Sequence, residues 1–218
     1  MTDMRNRSFF FVPAHKESYI LKSSKLACDR LIFDLEDSVP KSLKSQALDS
    51  VLSSKFRTSK RHIVRINKNG TRYDSEEIQA LRANFDLLLP KADNSGEILQ
   101  VISEIEDTPS CRIWLLIETV IGFWNLRDII NSNSAVLDGL IFGGEDYLTS
   151  LDGAHISGDR QFIHARMSLV HAAKANNLIS IDTPQLSFDN STFLMEQYSD
   201  SRGLGFDGSL LILSLIHI

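Results

Sequence analysis

Short apolar runs rich in β-branched residues recur along this chain, and each is followed by a stretch with helical spacing. Strands are expected at 8–12, 30–35, 62–67, 87–90, 112–118, 137–143, 178–181 and 209–213. Between them, Ile98, Val101, Ile102 and Ile105 recur at i, i+3, i+4 and i+7. Ile78, Leu81 and Phe85 follow a helical period too, as do Phe162, Ala165, Leu169 and Ala173. Runs that are apolar on both faces belong to a parallel sheet covered by helices. About eight βα units favour an α/β architecture of the TIM (β/α)8 barrel type over an open doubly wound sheet. No linker or repeat interrupts the pattern, so residues 1–213 read as a single (β/α)8-type domain, with 214–218 as a tail.

Composition narrows the partners. The 218 residues carry a formal net charge of -5, with acids and bases mixed throughout. No basic stripe runs along any segment, so nucleic acid is not expected as a partner; a helix end ahead of a strand accounts for the densest basic cluster, Lys55, Arg57, Lys60 and Arg61. Cys28 and Cys111 lack metal-type spacing and suit a reducing, cytoplasmic setting. The polar start before Phe9 leaves no room for a signal peptide, and no apolar run reaches membrane-spanning length.

Barrel enzymes build their sites at the carboxyl ends of the strands. Here those ends carry Pro13-Ala14-His15-Lys16, Asp34-Leu35-Glu36-Asp37, Arg65 with Asn67, Pro90-Lys91, Glu118-Thr119, Gly144-Glu145-Asp146 and Asp182-Thr183. Convergence of these groups on one mouth is the expectation. The amino ends carry Arg30, Arg61-His62, Arg112 and Asp138. A site of carboxylates without cysteine pairs or HExxH suits Mg²⁺, which binds one or two carboxylates together with water and substrate oxygens. Arg65 offers a planar fork for a carboxylate or an enolate oxygen.

Other features have plainer readings. Gly203, Gly205 and Gly208 spell GxGxxG, but a helical pattern precedes them, so a helix stop and turn into the last strand is expected. His164 and His171 lie seven apart on one helix and read as surface or core-edge packing residues. His15 and His155, on mouth loops, suit either acid–base work or loop hydrogen bonding. Trp114 and Trp124 read as core or helix-packing residues. Lys91 either touches substrate or pairs with an acid such as Glu118.

Taken together, "RSFFFVPAHKE", "LIFDLEDSVP", "HIVRIN", "LLLPKAD", "WLLIETVIGFWN", "LIFGGEDYLTSLDG", "ARMSLVHAAKANNLISIDTP" and "GLGFDG" resemble the citrate lyase beta-subunit (CitE-like) family of the HpcH/HpaI aldolase superfamily. They fall in the family's order from Arg7 to Gly208. The resemblance implies a TIM barrel, a homo-oligomer (trimer or hexamer), and Mg²⁺-dependent carbon–carbon lyase chemistry on acyl-CoA thioesters of the citryl-CoA, malyl-CoA or citramalyl-CoA type. It implies Glu118 and Asp146 as Mg²⁺ ligands, Arg65 as the grip on a 2-oxo acid, and Glu36 as a catalytic pocket residue. Gly144, Glu145, Pro13 and Lys16 would contact substrate, the last two near the CoA entrance. Asp146 would turn toward the metal and Glu145 away from it.

The chain departs from the family in Ala14, where glycine is usual, in Lys16, near a position often held by Arg or Asn, and at its end. "GFDGSLLILSLIHI" replaces the usual lysine and "IHP" element, so the barrel reads as truncated near the eighth strand, with exposed apolar strand edges and poor solubility. Two other functions fit the same residues: a CoA-free aldolase of 2-oxo-3-deoxy acids, and a non-catalytic or inactive truncated family member.

Overall fold

The computed structural model describes residues 6–54, 62–133, 135–184 and 191–211. In chain order the elements are β1 (Ser8–Pro13), α1 (Glu17–Ser23), β2 (Arg30–Asp34), α2 (Lys44–Ser53), β3 (Ile63–Arg65), β4 (Lys68–Asn69), β5 (Arg72–Tyr73) and α3 (Ser75–Leu81). There follow β6 (Asp86–Leu89), α4 (Ser95–Ile105), β7 (Ile113–Ile117), α5 (Val120–Asn133), β8 (Leu137–Phe142), α6 (Gly144–Ser150), α7 (Ile163–Ala175), β9 (Ile179–Asp182), α8 (Ser191–Leu204) and β10 (Gly208–Leu211). Strands β1, β2, β3, β6, β7, β8, β9 and β10 form a closed parallel ring. The expected TIM-type barrel is therefore present.

The expected gap at the eighth strand is not. Ser8, Phe9 and Phe10 of β1 pair with Ser209, Leu210 and Leu211 of β10, and β10 also pairs with β9. Closure removes the open apolar edge that motivated an expectation of poor solubility. The tail at 214–218 lies outside the described residues.

Alternation along the strands sorts side chains into two cores. Phe9, Ile32, Ile63, Leu88, Trp114, Leu116, Ile141, Ile181 and Leu210 fill the barrel interior. Phe10, Phe33, Leu87, Leu115, Leu140 and Phe142 point the other way and pack under the helices. Trp114 is fully buried, and Gly139 makes room for it: a β-carbon there would lie 2.4 Å from the indole. Trp124 contradicts its expected packing role, because it is 85% exposed on α5.

Helices begin where side chains can cap them. Asp74 accepts the Glu77 N–H ahead of α3, and Asn94 accepts the Gly96 N–H ahead of α4. Ile98, Val101 and Ile105 form the buried stripe of α4, as their spacing requires. Phe85 is buried but lies beyond the end of α3, so its helical period was coincidental. Gly205 adopts φ 101° after α8, which makes the glycine-rich run a helix stop before β10. The antiparallel hairpin β4–β5 is an element the sequence reading did not contain. Among the described residues, no helix is long and apolar enough to cross a membrane.

The amino-end charges largely satisfy one another. Arg30 pairs with Asp86 at 3.4 Å, and Arg112 pairs with Asp138 at 2.7 Å. His62 sits beside Arg30, and burial, reinforced by that guanidinium, lowers its pKa to about 4. The unfolded chain takes up this proton near pH 6.5, whereas the folded chain resists it until about pH 4. His62 therefore adds stability that is complete above pH 6.5 and is lost as pH falls toward 4, by about 3 kcal/mol. Urea melts across this window should show a shallower pH dependence for His62→Gln than for the native chain. Equal slopes would contradict the assignment.

Candidate active site

A cavity of about 300 Å³ opens at the carboxyl ends of the barrel strands. Arg65, Glu118 and Asp146 line it, as do Pro13, Gly144 and Glu145. Asp34 and Thr183, also at strand ends, line it too. Other expected groups do not: Glu36 and Lys91 pair with each other outside the lining, and Asn67 is held by Glu77. Lys16 and Asp182 also lie elsewhere. Lys16 is exposed on the rim, with Nζ 3.4 Å from the Tyr19 hydroxyl and 4.7 Å from its ring centre. Asp182 is fully buried away from the mouth, where it accepts hydrogen bonds from Arg166 of α7 and Ser201 of α8.

Arg65 ends β3 and is held rigidly. Its Nε and Nη2 donate to the two carboxylate oxygens of Asp34, each at 2.7 Å. The third nitrogen, Nη1, lies 3.2 Å from Glu36 Oε2 and 3.7 Å from Asp37. The Glu36 oxygen stays outside hydrogen-bonding alignment, so this contact is electrostatic. The guanidinium also sits 5.0 Å from the Phe11 ring centre. Burial favours a neutral Asp34, but the Arg65 charge and hydrogen bonds outweigh it and lower its pKa. Asp34 further accepts the Glu36 and Ser38 N–H groups, which shapes the loop after β2.

Asp34 was given no role from sequence. The signal existed: Ile32 faces the barrel interior, and a period of two places Asp34 on the same side.

Lys91 joins two acids. Its ammonium donates to Glu36 Oε1 at 2.7 Å, and its backbone N–H donates to Glu118 Oε1 at 2.9 Å. Of the two readings left open for Lys91, pairing with acids is the one seen. Its φ of 47° is left-handed, which costs a non-glycine residue strain. The turn is held in part because the Lys91 carbonyl accepts from Lys68. Burial raises the Glu36 pKa despite the Arg65 and Lys91 charges.

Glu118 follows β7 and is 2% exposed. Burial pushes its pKa up to about 8; Arg65 opposes this, while Asp146 and Glu36 add to it. Two neighbouring acids in an apolar wall are a poor arrangement for protein alone and a good one for a small dication. Among the described residues no three His, Cys, Asp or Glu side chains are grouped to hold a metal. Two carboxylates beside open space fit Mg²⁺, whose remaining positions go to water and substrate.

The paired acids are not on a strand. β8 ends at Phe142, and Glu145 and Asp146 lie in the first turn of α6. The Glu145 carboxylate lies 3.1 Å from His155 Nε2, which gives His155 a bracing contact on the rim. Gly143 leaves space for Glu118: a β-carbon there would lie 2.5 Å from Glu118 Cβ and 2.9 Å from Oε2. The Gly144 N–H is not bare, since it donates to Thr183 Oγ1 at 3.1 Å. Thr183, expected at the mouth from its place at the end of the seventh apolar run, is a wall residue of the cavity.

This geometry accompanies a clear kinship. The chain belongs to the HpcH/HpaI aldolase/citrate lyase family, whose model matches residues 7–214. It is 30% identical to the (3S)-malyl-CoA thioesterase of Cereibacter sphaeroides over 212 residues, covering 94% of this chain and 72% of that protein. It is similar to the Mycobacterium tuberculosis citrate lyase beta subunit complexed with oxaloacetate and magnesium, with 25% identity, a TM-score of 0.82 and coverage of 99% of this chain and 96% of the other. The CitE protein of the same organism, in complex with magnesium, acetoacetate and coenzyme A, gives 25% identity and a TM-score of 0.82, over 96% and 78% of the two chains.

Replacing Gly143 by Ala keeps an allowed φ of -99°, but the new β-carbon would lie 2.5 Å from Glu118 Cβ and so should push Glu118 and the end of β7 aside. The expected result is Mg²⁺ binding weakened by roughly tenfold or more in calorimetry, with an unchanged circular dichroism spectrum. Unaltered affinity would show that Glu118 does not need this space.

Proposed function

We propose that this protein is a Mg²⁺-dependent carbon–carbon lyase acting on a 3-hydroxyacyl-CoA thioester. The carrying observation is the pair of carboxylates, Glu118 and Asp146, beside the fixed guanidinium of Arg65 in one cavity. In cleavage, the 3-hydroxyl loses its proton and the C2–C3 bond breaks. The bonding pair stays with the thioester as an enolate, which then takes a proton to give acyl-CoA, while C3 becomes the carbonyl of a 2-oxo acid. Bound Mg²⁺ would supply Lewis acidity and a template for the carboxylate and hydroxyl oxygens.

The residues supply the rest. Glu118 and Asp146 hold the metal. Arg65 directs Nη1 toward the substrate's oxygens, since Asp34 occupies its other edge. A charge fixed before the reaction needs no reorganisation when negative charge develops. Glu36 places its charge 3.2 Å from Nη1, outside the cavity lining, and through Lys91 it is joined to the turn whose N–H holds Glu118. The backbone at Gly144 and Glu145 borders the substrate carboxylate. Pro13 meets the CoA arm from the cavity wall and Lys16 from the rim.

The proposal includes a cytoplasmic setting, one catalytic domain over residues 1–213 and a homo-oligomer, trimer or hexamer. The exposed Trp124 and Ile121 on α5, 85% and 50% accessible, support a further packed surface. A second reading, hydrolysis of the thioester, is favoured by the 30% identical malyl-CoA thioesterase. Products separate the two: acetyl-CoA with a 2-oxo acid for the lyase, free CoA with a hydroxy acid for the hydrolase.

Glu118→Gln and Asp146→Ala should each abolish metal-dependent cleavage while the thermal unfolding curve stays cooperative. Arg65→Lys should lower kcat/KM by roughly 100-fold, because an ammonium cannot face Asp34 and the substrate at once. Unchanged turnover in any of the three would remove that residue from the mechanism. Absence of both Mg²⁺ and oxalate binding by the native chain would instead favour the non-catalytic reading.

A further inference from the structure

Hairpin β4–β5 contributes none of the described residues that line the cavity, yet two of its side chains grip the turn that serves it. Lys68 and Tyr73 stand opposite each other in the antiparallel register, so their side chains share one face. The Lys68 ammonium lies 5.5 Å from the Tyr73 ring centre. The lysine side chain is 7% exposed, and Tyr73 is buried. The Tyr73 hydroxyl donates to the Pro90 carbonyl at 3.1 Å, and the Lys68 ammonium donates to the Lys91 carbonyl. The ammonium also lies 2.9 Å from Glu97 and 3.5 Å from Asp93. Asp93 in turn accepts the hydroxyl of Thr119, the residue that follows Glu118.

The two carbonyls belong to the peptide units on either side of the Lys91 α-carbon. A trans peptide is planar, and its carbonyl and N–H point in opposite directions. The Pro90 carbonyl and the Lys91 N–H form one such unit. Tyr73 holds one edge of it, and Glu118 Oε1 accepts from the other. The Lys91 carbonyl, in the next unit, is held by Lys68. With both units fixed, Lys91 stays at φ 47°, a conformation a lysine otherwise avoids. Rotation of the first unit would turn the N–H away from Glu118. Resting on the assignment of Glu118 as a metal ligand in the lyase reading, we infer that Lys68 and Tyr73 are positioning residues: they pin the backbone around Lys91, aim the Glu118 carboxylate and so set the affinity for Mg²⁺. Groups that orient a metal-binding carboxylate typically contribute about 10–100-fold to affinity. Charge alone predicts the opposite for Lys68, since removing a nearby cation strengthens the binding of a dication.

The test is a calorimetric titration of Mg²⁺ into the native chain, Lys68→Met and Tyr73→Phe, with a thermal unfolding curve for each. Binding is read directly, so the result does not depend on which thioester is cleaved. The expected result is Mg²⁺ affinity weakened by roughly tenfold or more in Lys68→Met and by a smaller factor in Tyr73→Phe, with cooperative unfolding in both. Tyr73→Phe removes one hydroxyl and no charge, and it carries the test alone if Lys68→Met does not fold. Native or tighter affinity in a folded variant overturns the inference for that residue, reduces its contact to a stabilising one and leaves the metal assignment standing. If the native chain itself binds no Mg²⁺, the metal assignment fails and the inference falls with it.

Discussion

The bidentate ion pair between Arg65 and Asp34 is the interaction on which the mouth of this barrel depends. Both partners are buried, so neither charge is tolerable alone; removing one partner of such a pair typically costs about 3–5 kcal/mol. The pair ties the end of β3 to the end of β2 and uses the fork geometry that only arginine provides. It leaves a single nitrogen edge beside Glu36. From Glu36 the contacts run to the Lys91 ammonium, and from the Lys91 N–H to Glu118. Four strand ends are thus linked by alternating charges, and the positions of the two groups assigned to chemistry, Arg65 and Glu118, are set together.

The same chain of contacts explains where local conformational cost is spent. Lys91 takes a left-handed backbone that a lysine ordinarily avoids. In that conformation its side chain and its N–H reach acids on different strands. Gly143 is required for a different reason, because any side chain would displace Glu118. Burial then makes Glu118 a carboxylate that favours a proton or a cation over bare charge. Stability and function share this feature: the acid that burdens the protein alone is the one suited to a dication.

Much of the fold was legible because parallel strands are apolar on both faces and helices bury a stripe. That pattern survives in single residues such as Ile98, Val101 and Ile105. Closure through β10 was not legible: it depends on Ser8–Ser209 and Phe9–Leu210 pairing across the whole chain, and pattern carries no partner information. The hairpin β4–β5 has strands of two residues, too short for a period. At the site, charged strand ends pointed to Arg65, Glu118 and Asp146. Direction was harder to read. Asp182 and Lys16 looked equivalent to these, yet one is held by Arg166 and the other rests on Tyr19. Asp34 and Thr183 act on other site residues, a role set by geometry and not by residue type.

The most direct measurement is a crystal structure of this chain grown with Mn²⁺ and pyruvate, with the metal located by anomalous scattering. Mn²⁺ stands in for Mg²⁺ with the same oxygen preference. The expected result is one strong peak within about 2.0–2.3 Å of carboxylate oxygens of both Glu118 and Asp146, with pyruvate between that peak and Arg65. A metal bound elsewhere, or pyruvate placed away from Arg65, would contradict the assignment of this mouth as the catalytic centre.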